Sequence, residues 1–204
     1  MSNIDPKAMF GIGYGLYVVT AARAGEDNGC IANAVMQLTD QPLQVAVTLN
    51  QSNYTYELIR DTGMLNVCIL SEDAPFSLFE RFGFQSGRQA EKFEGIDLWR
   101  TENGLPALTG EFCNTVISLK VTRHIDLGSH GLFICEVTET AILTPRPTMT
   151  YAYYHGNVKP KPAAKSKKGY VCKVCGYVYE GETLPQDFVC PLCKHGAGDF
   201  EPME

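Results

Sequence analysis

Two Cys-x-x-Cys pairs, Cys172/Cys175 and Cys190/Cys193, stand within the 24 residues YVCKVCGYVYEGETLPQDFVCPLC (170–193). Each pair makes a tight turn that presents two sulfurs from one side, so the four thiolates can surround one ion tetrahedrally. This stretch must therefore fold around a metal. Its ligand set suits zinc and iron alike, and the sulfurs hold either an electron or merely a fold. The other four cysteines, Cys30, Cys68, Cys113 and Cys135, are scattered singly. Cys68, Cys113 and Cys135 sit in apolar stretches and read as small core residues, while Cys30 has no paired base at a predictable spacing to make it a nucleophile.

The rest of the chain is unlike this segment. Of 204 residues, 45% are hydrophobic and 20% charged, the balance of a soluble globular protein. No apolar run approaches the roughly 20 residues of a bilayer span, so no membrane segment is expected. The net charge of -6 speaks against nucleic-acid binding, which needs basic patches to replace phosphate counterions. The opening MSNIDPKAMFGIGYG has neither the charged start nor the apolar stretch of a secretory signal, which predicts a cytoplasmic, reducing home. Residues 157–169, NVKPKPAAKSKKG, hold five lysines, two prolines and no acid. They read as a basic linker between two acidic modules, 1–156 and 170–204, either as a solvated tether or as a dock for an acidic partner. As a flexible coil these thirteen residues span about 20 Å, so the small module can swing without wandering.

Upstream of the linker, stretches 14–22, 30–38, 43–49, 64–70, 114–127 and 131–143 are rich in Val, Ile, Thr and aromatic residues and are separated by Gly, Asp, Asn and Pro. They predict a mainly β domain whose antiparallel strands close into a barrel, since closure removes exposed edges. Helices are expected over 52–63 and 73–83, each opening on polar caps and ending in Gly. GIGYG (11–15) is not a dinucleotide fingerprint, because Leu16 stands where a third Gly belongs and a strand follows; it reads as a turn.

The terminal segment resembles rubredoxin, through Tyr-Val-Cys-x-x-Cys-Gly-Tyr-x-Tyr at 170–179, Phe-Val-Cys-Pro-Leu-Cys at 188–193 and Asp199-Phe200. The resemblance implies one iron held by Cys172, Cys175, Cys190 and Cys193 over an aromatic cluster of Tyr170, Tyr177, Tyr179, Phe188 and Phe200. Two departures stand out. The loop between the pairs is shortened to 14 residues, and Lys194 replaces a common Gly, holding the same turn at a cost of about 1 kcal/mol.

Residues 8–155 resemble the flavin reductase group with its FMN-binding split barrel. The matching stretches are Tyr14–Thr20, Asn28–Ala34 with Gln37, Asn53-Tyr54-Thr55, Phe82-Gly83, Ser86-Gly87-Arg88, Lys92-Phe93, Gly128-Ser129-His130 and Thr150–Tyr154. The resemblance implies that Asn28, Gly29, Cys30, Ala32, Asn33 and Ala34 lie along the isoalloxazine edge. Asn50, Asn53, Thr55 and Ser86 complete the expected FMN site, with Arg88 and Lys92 supplying charge to the phosphate, although Asn53 and Thr55 are equally what simple helix capping needs. His130 is the expected catalytic residue beside the flavin and the nicotinamide, and Tyr154 the residue covering the ring.

The whole arrangement resembles the high-molecular-weight rubredoxins of anaerobes. It implies an NAD(P)H-dependent oxidoreductase that passes electrons from FMN to the iron and on to a flavodiiron protein reducing dioxygen or nitric oxide, working as a homodimer. Two other readings fit the same residues: an FMN and iron relay fed by a separate reductase, and a free flavin or ferric reductase whose tail is a structural zinc ribbon.

Overall fold

A computed structural model describes residues 5–160, 169–191, 193 and 195–203. After a short 3-10 helix (Pro6–Gly11), the chain forms β1 (Tyr17–Arg23), β2 (Glu26–Ala32), β3 (Val35–Asp40) and β4 (Leu43–Asn50). Helix α1 (Tyr54–Thr62), β5 (Met64–Leu70) and helix α2 (Phe76–Gly83) follow, then a small separate hairpin of β6 (Leu98–Arg100) and β7 (Pro106–Leu108). The long strands β8 (Cys113–Asp126) and β9 (His130–Ile142) complete an antiparallel sheet of order β2-β1-β5-β8-β9-β4-β3.

The two end strands of that sheet, β2 and β3, are consecutive and joined only by Asn33 and Ala34. Two linking residues cannot span a flat seven-stranded sheet, so it curls until its ends meet at that corner. This is a split barrel, as expected. The single strand anticipated over 30–38 is accordingly two, because the chain crosses from one edge to the other at 33–34. β2 also starts earlier than expected. Ala24 (φ 53) and Gly25 (φ 86) make a two-residue turn that sets Arg23 opposite Glu26, and carries Glu26-Asp27-Asn28, poor strand formers, into the sheet.

Both faces of the central strands are buried, and side chains alternate between them with a period of two. Val19 and Ala21 join one core cluster with Leu65, Val67, Phe133 and the α1 residues Leu58 and Ile59. Leu16 and Val18 join a second with Leu70, Met149 and the α2 residues Leu78, Phe79 and Phe82. Cys30 and Cys135 lie in the first cluster and Cys68 and Cys113 in the second, all buried. Burial pushes the Cys135 thiol up to about 12, so it is core matter rather than a nucleophile.

α1 begins at Asn53, whose side chain accepts from the Thr55 N–H at 3.3 Å, and ends at Gly63, which caps it at φ 70 by donating its N–H to Ile59 O. α2 starts at Phe76 after Pro75, later than expected, and ends at Gly83, as expected, with Phe84 in the capping position. Near the end of the barrel, α3 (Tyr151–Tyr153) runs straight into a π-helical turn, Tyr154–Val158. A second, three-stranded sheet of order β11-β10-β12 comprises β10 (Gly169–Cys172), β11 (Val178–Tyr179) and β12 (Phe200–Met203). Residues 161–168, most of the expected linker, and Lys194 lie outside the described residues. Among those described, no helix is long and apolar enough to cross a membrane.

Candidate functional site

Cys172, Cys175, Cys190 and Cys193 converge, with all four sulfurs within 4.8 Å of one another and all four residues buried. The Cys172–Cys193 and Cys175–Cys190 Sγ pairs are 3.5 Å apart and are not disulfides. A tetrahedral ion with M–S bonds of about 2.3 Å requires S–S edges of about 3.8 Å, so these two pairs come within a few tenths of an ångström of holding one ion. Local hydrogen bonds shape both loops. Gly176, at φ +83, donates its N–H to Cys172 O at 2.8 Å, and Cys190 N–H reaches His195 O at 2.8 Å. The Tyr177 N–H points at the Cys175 sulfur and the His195 N–H at the Cys193 sulfur, where each stabilises a thiolate. Burial nevertheless pushes the Cys175 thiol up to about 11 and Cys193 up as well, so a cation is what keeps these two ionised within the cluster.

Beneath the sulfurs lie Tyr170, Tyr177, Tyr179, Phe188 and Phe200, joined by Phe84 from the end of α2. Phe188 is the hub, with ring centroids 4.7 Å from Tyr179 and 5.3 Å from Phe200. Pro191, in the second Cys-x-x-Cys loop, shares a cavity with Glu80, Phe84 and Ser86 of the barrel. The metal unit is thus seated against the barrel near the Ser86–Arg88 turn.

In the barrel, one group of the expected cofactor residues meets around the start of α1. Asn28 is buried, and its Oδ1 accepts from the Gly29 N–H at 2.6 Å and from the Thr55 hydroxyl at 3.4 Å. Gly87 lies so close that a Cβ there would fall 1.7 Å from Asn28 Nδ2, which ties the Ser86–Arg88 turn to β2. Cys30 packs beside Asn53 and Thr55, whose hydrogen bonds partly offset a desolvation that pushes its thiol up. Arg88 stacks 4.5 Å from the Tyr54 ring centre, donates to Glu57 at 2.6 Å, and offers its own N–H to Ser86 Oγ at 3.3 Å. The Arg88 guanidinium in turn holds the Glu57 carboxyl below its usual range.

Lys92 differs from its expected position. It is 4% exposed, and its ammonium donates to Gly29 O at 2.9 Å and Phe82 O at 3.3 Å. Burial lowers its pKa. A buried ammonium must be hydrogen-bonded, and these two carbonyls claim it, so Lys92 staples the segment after α2 to β2. The remaining expected residues lie apart from this group. Asn50 sits opposite His130 across β4 and β9, accepting from the Ser52 N–H and hydroxyl at 2.9 Å each. His130 is exposed, with Nδ1 2.8 Å from Ser129 Oγ. Ala32, Asn33 and Ala34 form the corner between the sheet ends, where Ala34 O accepts from the Thr48 N–H. Tyr154 is 7% exposed and packs on Phe79 at 4.4 Å, on the side that faces Cys175.

A cavity of about 900 Å³ lies elsewhere again, between Gly11–Gly15, Thr148, Thr150–Ala152, His155 and Lys173. The start of α1, by contrast, gathers Thr55, Ser86 and Arg88 at a helix N-terminus, an end that favours anions. Sequence reasoning gave no site role to Tyr54, Glu57 or Lys159, although Tyr54 lies in the matched stretch Asn53-Tyr54-Thr55 and Glu57 falls near the start of an expected helix.

Fold and sites together define a redox enzyme that joins a flavin-reductase barrel to a four-thiolate metal unit. Residues 9–161 match the family described as flavin reductase like domain, and residues 170–201 match the rubrerythrin, rubredoxin-like domain. The chain belongs to the flavin reductase-like family, extended by a C-terminal rubredoxin-like domain. It is similar to the high molecular weight rubredoxin of Moorella thermoacetica, at 35% identity over 98% of this chain and 100% of that protein. The ferric-chelate reductase (NAD(P)H) of Archaeoglobus fulgidus is 38% identical over 74% of this chain and 89% of its own length. Among solved structures, flavin reductase PheA2 in its native state aligns with a TM-score of 0.61 and 27% identity, covering 72% of this chain and 93% of that one.

Proposed function

We propose that the chain works as three pieces, 1–156, 157–169 and 170–204, forming an NAD(P)H-dependent FMN oxidoreductase that delivers electrons through a rubredoxin-type iron. The observation that carries this reading is the four-thiolate site seated on a flavin-reductase barrel within one chain. Bound FMN supplies exchange between the two-electron chemistry of nicotinamide and the one-electron chemistry of a four-cysteine iron.

The chain's own residues serve that exchange. Asn53 and Thr55 at the start of α1, with Ser86 and Arg88 beside them, hold the phosphate, the helix end attracting anions. Asn28, Gly29 and Cys30 form a backbone edge kept rigid by Lys92 and by the Asn28–Thr55 bond, and Ala32, Asn33 and Ala34 continue it with small side chains that permit close approach. His130, beside Asn50 at the exposed end of β9, orients the nicotinamide. Tyr154 closes the barrel on the side of Cys175. Four protein ligands leave no open coordination position, so the metal unit hands its electron to another protein rather than to a bound substrate. The acceptor class we favour is a flavodiiron protein, and the working unit a homodimer; both follow from the likeness to the high-molecular-weight rubredoxins.

Replacing Cys172 and Cys175 together by Ser tests the route. NADH should still reduce the bound flavin at the wild-type rate, while reduction of an added protein acceptor falls to background. Acceptor reduction at an undiminished rate would refute delivery through the four-cysteine site.

A further inference from the structure

Lys159 is the first lysine of the basic segment, and its backbone is pinned: its N–H caps the π-helical turn by donating to Tyr154 O at 2.8 Å. Tyr154 is itself locked into the barrel core against Phe79. From that fixed base the Lys159 side chain reaches the metal unit, where Nζ donates to Val174 O at 3.0 Å and Lys173 O at 3.5 Å. Those are the two residues between the ligands Cys172 and Cys175. Gly176 completes the seat, since a Cβ on it would meet Pro160 O at 3.6 Å and Lys159 Cε at 3.9 Å, and Lys159 shares a cavity of about 220 Å³ with Cys172. One lysine of the basic segment is therefore committed to the chain's own metal loop.

We propose that Lys159 is a positioning residue that raises the reduction potential of the four-cysteine iron by holding its ammonium against the first Cys-x-x-Cys loop. Ferric iron with four thiolates carries one net negative charge; taking up one electron, from the barrel's flavin or from a chemical reductant, leaves ferrous iron and two. No bond or proton changes. A fixed positive charge stabilises the doubly charged state more than the singly charged one. Lys159 is half-buried and held at its base by a backbone hydrogen bond, so salt screens it less than a free surface lysine. The same cavity is also lined by Lys173 and Glu201, which are opposite in sign, and Lys173 turns its ammonium to Gly198 O. The consequence is directional: the iron of the docked unit accepts an electron more readily than the iron of an undocked one.

The inference rests on the iron reading of this site, and one experiment separates the two. Full-length wild type, Lys159→Gln and Lys159→Arg are titrated anaerobically with dithionite and mediators while the ferric–thiolate absorption is followed. Gln keeps an N–H donor without the charge, whereas Arg keeps both. Lys159→Gln should shift the one-electron equilibrium about tenfold toward ferric iron, equal to a potential about 59 mV lower. Lys159→Arg should stay near wild type. An unmoved or raised potential in Lys159→Gln, or equal shifts in both variants, would overturn the charge effect while leaving the iron site intact. A wild type without ferric–thiolate absorption would overturn both.

Discussion

Arg88 and Glu57 show how the residues of the barrel site are balanced. Arg88 is shared between the Tyr54 face and the Glu57 carboxylate, so a bound phosphate competes for a guanidinium already in place rather than ordering a free one. The folded pKa of Glu57 is depressed, so the pair's stabilisation is complete above the unfolded carboxylate value and is lost as pH falls through the lower folded one. Wild type should be more stable than Glu57→Gln by urea unfolding at about pH 6, and that gap should narrow toward about pH 3. A gap independent of pH would contradict the pairing. Asn28→Ala removes the acceptor of the buried Thr55 hydroxyl and should cost about 1–3 kcal/mol by denaturant midpoint, since an unsatisfied buried donor pays its desolvation. The residue types of this group were legible from motif likeness, and the placement of Lys92 was not. Its sequence neighbours Glu91 and Phe93 give no sign that its ammonium turns inward to Gly29 O and Phe82 O, because those partners lie 63 and 10 residues away.

At the scale of elements, α1 carries both a structural and a proposed binding role, and its two ends separate them. Asn53→Ala removes the N-cap at a cost of about 1 kcal/mol and also strips a group of the proposed phosphate site. Gly63→Ala puts a side chain at φ 70 for a similar cost of about 1 kcal/mol, at the far end of the helix. Equilibrium dialysis should therefore find weaker FMN binding in Asn53→Ala and unchanged binding in Gly63→Ala; equal effects would reduce Asn53 to a cap. Both helices and six strand regions could be read from β-branched runs and cap residues. The break at Asn33-Ala34 could not, because 30–38 is uniformly compatible with a strand and only closure of the sheet forces the crossing there. Three-residue β6 and β7 and the 151–158 helical turn are too short for periodicity to register.

For the whole molecule, the composition of the basic segment predicts a tether, while the structure shows the metal unit seated by three contacts: Phe84 in its aromatic cluster, Pro191 facing Ser86, and Lys159 on the first metal loop. Such long-range contacts leave no periodic trace in sequence. They bring the iron site, the end of α2 and the proposed phosphate turn into one neighbourhood, which is what a chain needs if it takes electrons at a flavin and releases them at a metal. The central claim is that nicotinamide electrons reach that iron inside this protein. An anaerobic visible spectrum with metal analysis, taken before and after adding NADH, tests it most directly. The account predicts about one iron per chain, ferric–thiolate absorption over flavin bands, and bleaching of both by NADH. Zinc in place of iron, or iron that stays ferric after the flavin has been reduced, would contradict it.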